Sequence, residues 1–161
     1  MSRSRTSSSA SGGTDVGDDG RLQSVADELA IRNLLARFAQ LADGDTDDLT
    51  AYLGCLTEDA VWEGAPGPDG VPNVRCGHAH ILEGARARRA AGVQGPGTHT
   101  RHTITTIQIE VDGDAARGSS YYIFYGDTDH TPVLRSIGAY ADEFRRTGSG
   151  WKLAHRVIRP G

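Results

Sequence analysis

From residue 100 onward the chain is written almost entirely in strand-forming residues, in segments 100–111, 115–125, 133–144 and 151–158. Asp112-Gly113 separates the first segment from the second, and the run Thr147-Gly148-Ser149-Gly150 the third from the fourth, with hairpin-type turns. The residues before them carry apolar side chains mainly at helical spacing. Helices first and long antiparallel strands afterwards predict an α+β fold with the helices packed on one face of the sheet. The first strand segment adds a shape. His102 and Ile104 share one parity, whereas Ile107, Ile109 and Val111 occupy the other, which predicts a bulge near Thr105 or Thr106. A bulge there bends the sheet, and a bent sheet wrapped around a long helix encloses a cone.

That helix is predicted from Leu22, Val25, Leu29, Leu34, Leu35, Phe38 and Leu41, which form one apolar stripe ending near Asp43, with Gly44 as its left-handed cap. A second, shorter helix follows, with Asp45, Thr46 and Asp47 as capping candidates and Leu49, Tyr52, Leu53 and Leu56 inward. Thr57, Glu58 and Asp59 read as a turn, 60–63 and 73–76 as short strands, and Pro66 and Pro68 interrupt the ladder between them. Residues 77–91 read as a third helix with Ile81, Leu82 and Ala85 inward; Arg86, Arg88 and Arg89 read as its solvated face. Residues 1–20 contain almost nothing apolar and are expected to be a disordered tail, leaving 21–161 as one domain.

Composition narrows the partners. Seventeen Lys+Arg against 21 Asp+Glu give a formal net charge of -4, which supplies no field to gather nucleic acid or an anionic membrane. No stretch approaches the ~20 apolar residues that cross a bilayer. Cys55 and Cys76 are too far apart for a CxxC site; both read as small buried hydrophobes of a reducing, cytoplasmic compartment. His78 with His80, and His99 with His102, are close pairs, but no third ligand completes a zinc spacing, so no metal is expected. Phosphate loops, dinucleotide fingerprints and nucleophile elbows are absent from the sequence, and no cofactor is implied.

Five stretches, 31–45 (IRNLLARFAQLADGD), 56–63 (LTEDAVWE), 101–114 (RHTITTIQIEVDGD), 138–144 (GAYADEF) and 150–160 (GWKLAHRVIRP), resemble the SnoaL-like family of the NTF2-like superfamily. The family includes polyketide cyclases and is related to scytalone dehydratase, bile-acid dehydratases and ketosteroid isomerases. The resemblance implies a cone-shaped α+β domain, with a curved antiparallel sheet around a long helix and two shorter helices. It also implies homodimers formed through the open sheet face.

Matched residue by residue, the resemblance makes Asp43 and His102 a candidate proton-transfer pair. Taken alone, Asp43 is a turn carboxylate that sits awkwardly at the negative end of a helix, and His102 is equally readable as a satisfied core histidine. An imidazole whose tautomer is fixed by a carboxylate is a natural proton carrier near neutral pH. Two positions depart from the relatives. Phe38 stands where many have a tyrosine, and the second acid or base falls near Tyr125 and Asp127. Phe38, Tyr52, Trp62, Tyr122 and Tyr140 are the aromatics expected to hold a small apolar organic substrate, although ordinary core packing uses the same residues.

The expected function is therefore a cofactor-independent acid/base enzyme of secondary metabolism: a polyketide-type cyclase, a dehydratase or an isomerase. Asp43 is the expected base for a cyclisation and His102 for a dehydration. The competing expectation is a non-catalytic ligand-binding or assembly module, like the small subunits of ring-hydroxylating oxygenases.

Overall fold

The computed structural model of the protein describes residues 16–66 and 70–161. Helix α1 (Val16–Ala42) is followed by the single turn α2 (Thr50–Leu53), strands β1 (Leu56–Gly64) and β2 (Asn73–Cys76), and helix α3 (Gly77–Ala90). Strands β3 (Arg101–Asp112), β4 (Ala115–Gly126), β5 (Val133–Thr147) and β6 (Gly150–Pro160) complete the chain. The sheet order is β2-β1-β6-β5-β4-β3. Every neighbouring pair is antiparallel except β1 with β6. The sheet is thus mixed rather than wholly antiparallel, because the long excursion from β1 to β6 serves as the crossover that a parallel pair requires.

The bulge falls where side-chain parity broke. Pairing of β3 with β4 shifts register between Thr105 and Gln108, and Thr106 adopts φ 51°, a left-handed conformation that β-branched residues rarely take. Beyond it Ile107, Ile109 and Val111 pack on the main core. Before it, His102 and Ile104 face a different space. The bulge therefore divides the inner face of the sheet into a filled part and an open part.

The filled part lies against the middle of α1, where Ile31 and Leu35 meet Leu56, Ala60, Phe144 and Leu153. The register of the helix differs from the expected stripe. Leu22, Val25 and Leu29 are exposed, whereas Asp27, Ile31, Leu35, Phe38 and Ala42 are buried at spacings of three and four. The buried face is set where the helix meets the sheet, and the first turns of α1 present their apolar residues to solvent. The helix runs from Val16, and residues 1–15 of the expected tail lie outside the described residues.

Four smaller expectations also change. Helix α2 is only Thr50–Leu53, with Asp48 Oδ1 accepting from the Thr50 amide at 2.8 Å, and Leu56 opens β1 instead of closing the helix. Thr57 to Asp59 lie within β1, where its pairing with β6 is irregular, rather than in a turn. Gly44 is not left-handed, since the Asp43 amide still donates to the Ala39 carbonyl at 3.1 Å and continues the helical pattern. Cys55 is buried but Cys76 is exposed. Among the described residues no helix is long and apolar enough to cross a membrane.

Candidate functional site

The open part of the cone is a cavity of about 840 Å³ between α1, α3 and the inner face of the sheet. That volume suits a small organic ligand. Phe38, Tyr52, Trp62, Tyr122 and Tyr140 all line it. Phe38 stacks on Tyr52 with ring centroids 4.5 Å apart, and Tyr122 stacks on Tyr140 at 4.6 Å. The substitution of Phe38 for tyrosine is matched by phenols from neighbouring elements: burial pushes the hydroxyls of both Tyr52 and Tyr140 up to about 12, which keeps them protonated donors.

Asp43 follows the last residue of α1, and its carboxylate is buried. Its Oδ2 accepts the backbone N–H of His102 at 2.5 Å, and its Oδ1 lies 2.7 Å from His102 Nδ1. The backbone contact ties the helix end to the start of β3, and the ring contact sets the imidazole. With a carboxylate as acceptor, Nδ1 carries the proton and Nε2 is left with the lone pair. Nε2 has no partner among the described residues, and the ring lines the cavity, stacked on Phe124 at a centroid separation of 4.3 Å. Asp43 itself stands behind His102 rather than on the wall, so His102 is the group that can reach a bound molecule. Asp43 borders the cavity only through the His102 ring.

Tyr125 does not join them. Phe124 and Gly126 line the cavity and Tyr125 does not; it pairs across from Arg101 on β3, on the other face of the pleat. Asp127 does reach the rim, where its carboxylate is held by Arg135 at 2.9 Å. The backbone explains its position, since Asp127 has φ 56°.

Sequence reasoning missed a buried ion pair. Arg156 donates from Nε and Nη2 to the two carboxylate oxygens of Asp142, both at 2.7 Å, and both residues are buried. Burial works against the charge on Arg156, and Asp142 more than offsets it, so the guanidinium stays charged. Its Cζ lies 3.8 Å from the Tyr140 ring centroid and 5.4 Å from that of Phe38, and Arg156 lines the cavity. A signal existed: Asp142 shares parity with Tyr140 and Phe144 on an apolar face, where an unpaired carboxylate is costly.

Comparison with known proteins agrees with this fold. The family model described as the SnoaL-like domain matches residues 23–157. Among solved structures, an NTF2-like protein with a cystatin-like fold from Novosphingobium aromaticivorans superposes with a TM-score of 0.74 at 24% identity, covering 91% of this chain and 90% of that one. A candidate aromatic ring hydroxylase from the same organism is 30% identical with a TM-score of 0.67, over 84% and 90% of the two chains. The β subunit of a candidate aromatic-ring-hydroxylating dioxygenase, also from that organism, is 20% identical with a TM-score of 0.65, over 86% and 91%. No curated protein matches the chain.

Proposed function

Since the chain belongs to the SnoaL-like domain family, we propose that it is a cofactor-independent acid/base enzyme that moves a proton on a small, mainly apolar carbonyl compound. The observation that carries this reading is the His102 ring on the cavity wall, with Nδ1 held 2.7 Å from Asp43 and Nε2 unpartnered among the described residues.

The steps follow from the positions. His102 Nε2 takes the proton α to the substrate carbonyl, and the electron pair left on carbon delocalises onto the oxygen as an enolate. Asp43 holds the ring in the tautomer that accepts at Nε2 and stabilises the imidazolium that forms. The hydroxyls of Tyr52 and Tyr140 are donors for the enolate oxygen, and the Arg156 charge behind Tyr140 lowers the cost of negative charge there. The imidazolium then returns its proton to another carbon, completing an isomerisation, or to a departing hydroxide, completing a dehydration. In a cyclisation the enolate carbon attacks a second carbonyl, whose oxygen takes the proton instead.

The test is deuterium exchange at the α-carbon of β-hydroxy and polyketone compounds in D₂O, followed by mass spectrometry. Wild-type protein is expected to catalyse exchange and His102→Ala to abolish it; exchange that survives in His102→Ala would overturn the assignment. By the same family resemblance we place the activity in secondary metabolism, and by the sparse cysteines in a reducing, cytoplasmic compartment.

A second reading, an assembly module without catalysis, is favoured by the likeness to an oxygenase β subunit and by the outer sheet face, where Tyr121, Leu134 and Ile137 are exposed. The same face suits a homodimer of this chain. Multi-angle light scattering separates a homodimer from a monomer that waits for a different subunit.

A further inference from the structure

We infer that the substrate of this cavity is a carboxylic acid, whose carboxylate is held by Arg88 and Arg75 while its ring system lies against the aromatic wall. The inference rests on the proton-transfer reading for what happens to the bound molecule, and on the cavity's own charge for what binds.

Four arginines line the cavity: Arg75, Arg88, Arg135 and Arg156. Two are neutralised, Arg135 by Asp127 and Arg156 by Asp142. Arg75 and Arg88 have no carboxylate partner among the described residues. Arg75 donates to the Asn73 side-chain oxygen at 3.2 Å, and Arg88 donates through Nε to Gln94 Oε1 at 2.9 Å. Both partners are neutral. A chain with a formal net charge of -4 thus puts on the wall of this cavity two cations that have no carboxylate partner among the described residues.

Both arginines are arranged rather than merely present. Gln94 is a buried amide, 6% exposed, which itself lines the cavity. By taking Arg88 Nε it leaves the two Nη nitrogens free, and a guanidinium presents such a pair of donors to a carboxylate in a bidentate fork. Arg75 lies across Gly84, in the interior of α3, where a Cβ would overlap its guanidinium. A glycine inside a helix is destabilising relative to alanine, and here its bareness makes the room that Arg75 occupies. Gly84 and Arg88 are four residues apart, so they sit one above the other on a single helix face. Arg75 and Arg88 therefore both lie along this face of α3 and border the cavity. Arg88 is exposed, as the reading of a solvated helix face expects, and it also borders the cavity.

The experiment measures binding of 2-naphthoate, 2-naphthamide and methyl 2-naphthoate to the full chain by calorimetry. The acid is expected to bind about 10- to 100-fold more tightly than the amide or ester, the range of a charge-assisted hydrogen-bonded contact. That preference should shrink at least tenfold in Arg88→Gln. Gly84→Ala should weaken acid binding by displacing Arg75 while the melting temperature does not fall, which separates lost recognition from lost folding. High salt should weaken the acid and leave the amide unchanged. Equal affinity for acid and amide, an unchanged preference in Arg88→Gln, or no binding of any of the three would each overturn the inference. His102→Ala should leave the preference intact, so failure of the anion clamp and failure of the proton-transfer reading are read in different experiments.

Discussion

Asp27 and Asp43 are two buried aspartates on or just beyond the same helix, each reaching across to the sheet, and their partners are opposite in kind. Asp27 is saturated by donors that cannot lose their charge or hydrogen in ordinary conditions: Arg146 Nη1 and Nη2 at 2.8 and 2.6 Å, and the Trp151 indole N–H at 3.0 Å. Gln23 adds a donor from the preceding turn at 3.1 Å. The hydrogen bonds from Arg146, and then that from Trp151, hold the Asp27 carboxyl far below the usual carboxylate range. Arg146 also lies over the Trp151 ring at 4.5 Å, so the whole cluster is a fastener between helix and sheet. Asp43 is bonded to a ring that can gain and lose a proton and that borders an empty space. Residue type and burial are the same; the partner and the neighbouring cavity decide whether a carboxylate locks the fold or, in the function proposed above, serves chemistry.

The sharpest way to break this contrast is to disable Asp43 without disturbing the fold. Asp43→Asn should still accept the His102 backbone N–H, but its amide donor faces Nδ1 and forces the ring into the tautomer whose Nε2 carries the hydrogen. Loss of the base should lower the α-proton exchange rate by about 10² to 10⁴-fold, as should His102→Ala. The double variant should be scarcely worse than the poorer single one, because each change alone disables the pair; multiplied losses in steady-state kinetics would show two independent roles.

Asp27→Ala should do the reverse, leaving exchange per folded molecule unchanged and lowering stability. The buried Trp151 N–H loses its acceptor, at a cost of ~1–3 kcal/mol, seen as a melting temperature several degrees lower. Its pH dependence has a definite sign. A carboxyl whose folded pKa is depressed stabilises the fold fully above its unfolded value near ~4, and that contribution is lost as pH falls toward the folded value. The stability gap between wild type and Asp27→Ala, measured by denaturant titration, should therefore be constant near neutrality and narrow progressively below pH ~4. A gap that widens on acidification would mean that Asp27 is not the fastener.

The smallest effect belongs to the bulge that separates the two regions. Thr106→Gly relieves a left-handed threonine, worth roughly 1–2 kcal/mol, but frees the unfolded chain by roughly 0.5–1 kcal/mol. A gain of about 0.5 kcal/mol is expected in chemical denaturation, with no change in exchange rate. A marked loss would mean that the threonine side chain itself, not only its backbone, shapes the cavity.

Much of the scaffold was legible because it is periodic. Residues 100–111 announced a strand by alternation, and the shift of parity after Ile104 announced the bulge that Thr106 provides. Residues 73–76 form the expected strand, and 77–91 differ from the observed helix by one residue. The apolar stripe of α1 was less faithful, since Leu22, Val25 and Leu29 fit the helical period and yet are exposed. A period identifies a face; it does not say how far along the helix the sheet extends.

The sequence by itself determined where α3 and β2 to β6 begin, to within one residue, where the sheet bends and, through family resemblance, which aspartate and histidine to compare. Their separation of 2.7 Å, the pairing of Asp142 with Arg156, the placing of Tyr125 on the far face and the turning of Arg75 and Arg88 toward the cavity were decided only by tertiary structure. The physical reason is range. Backbone periods of about two and 3.6 residues are written locally, whereas the fate of a charge depends on which distant strand, helix or glycine comes to lie beside it.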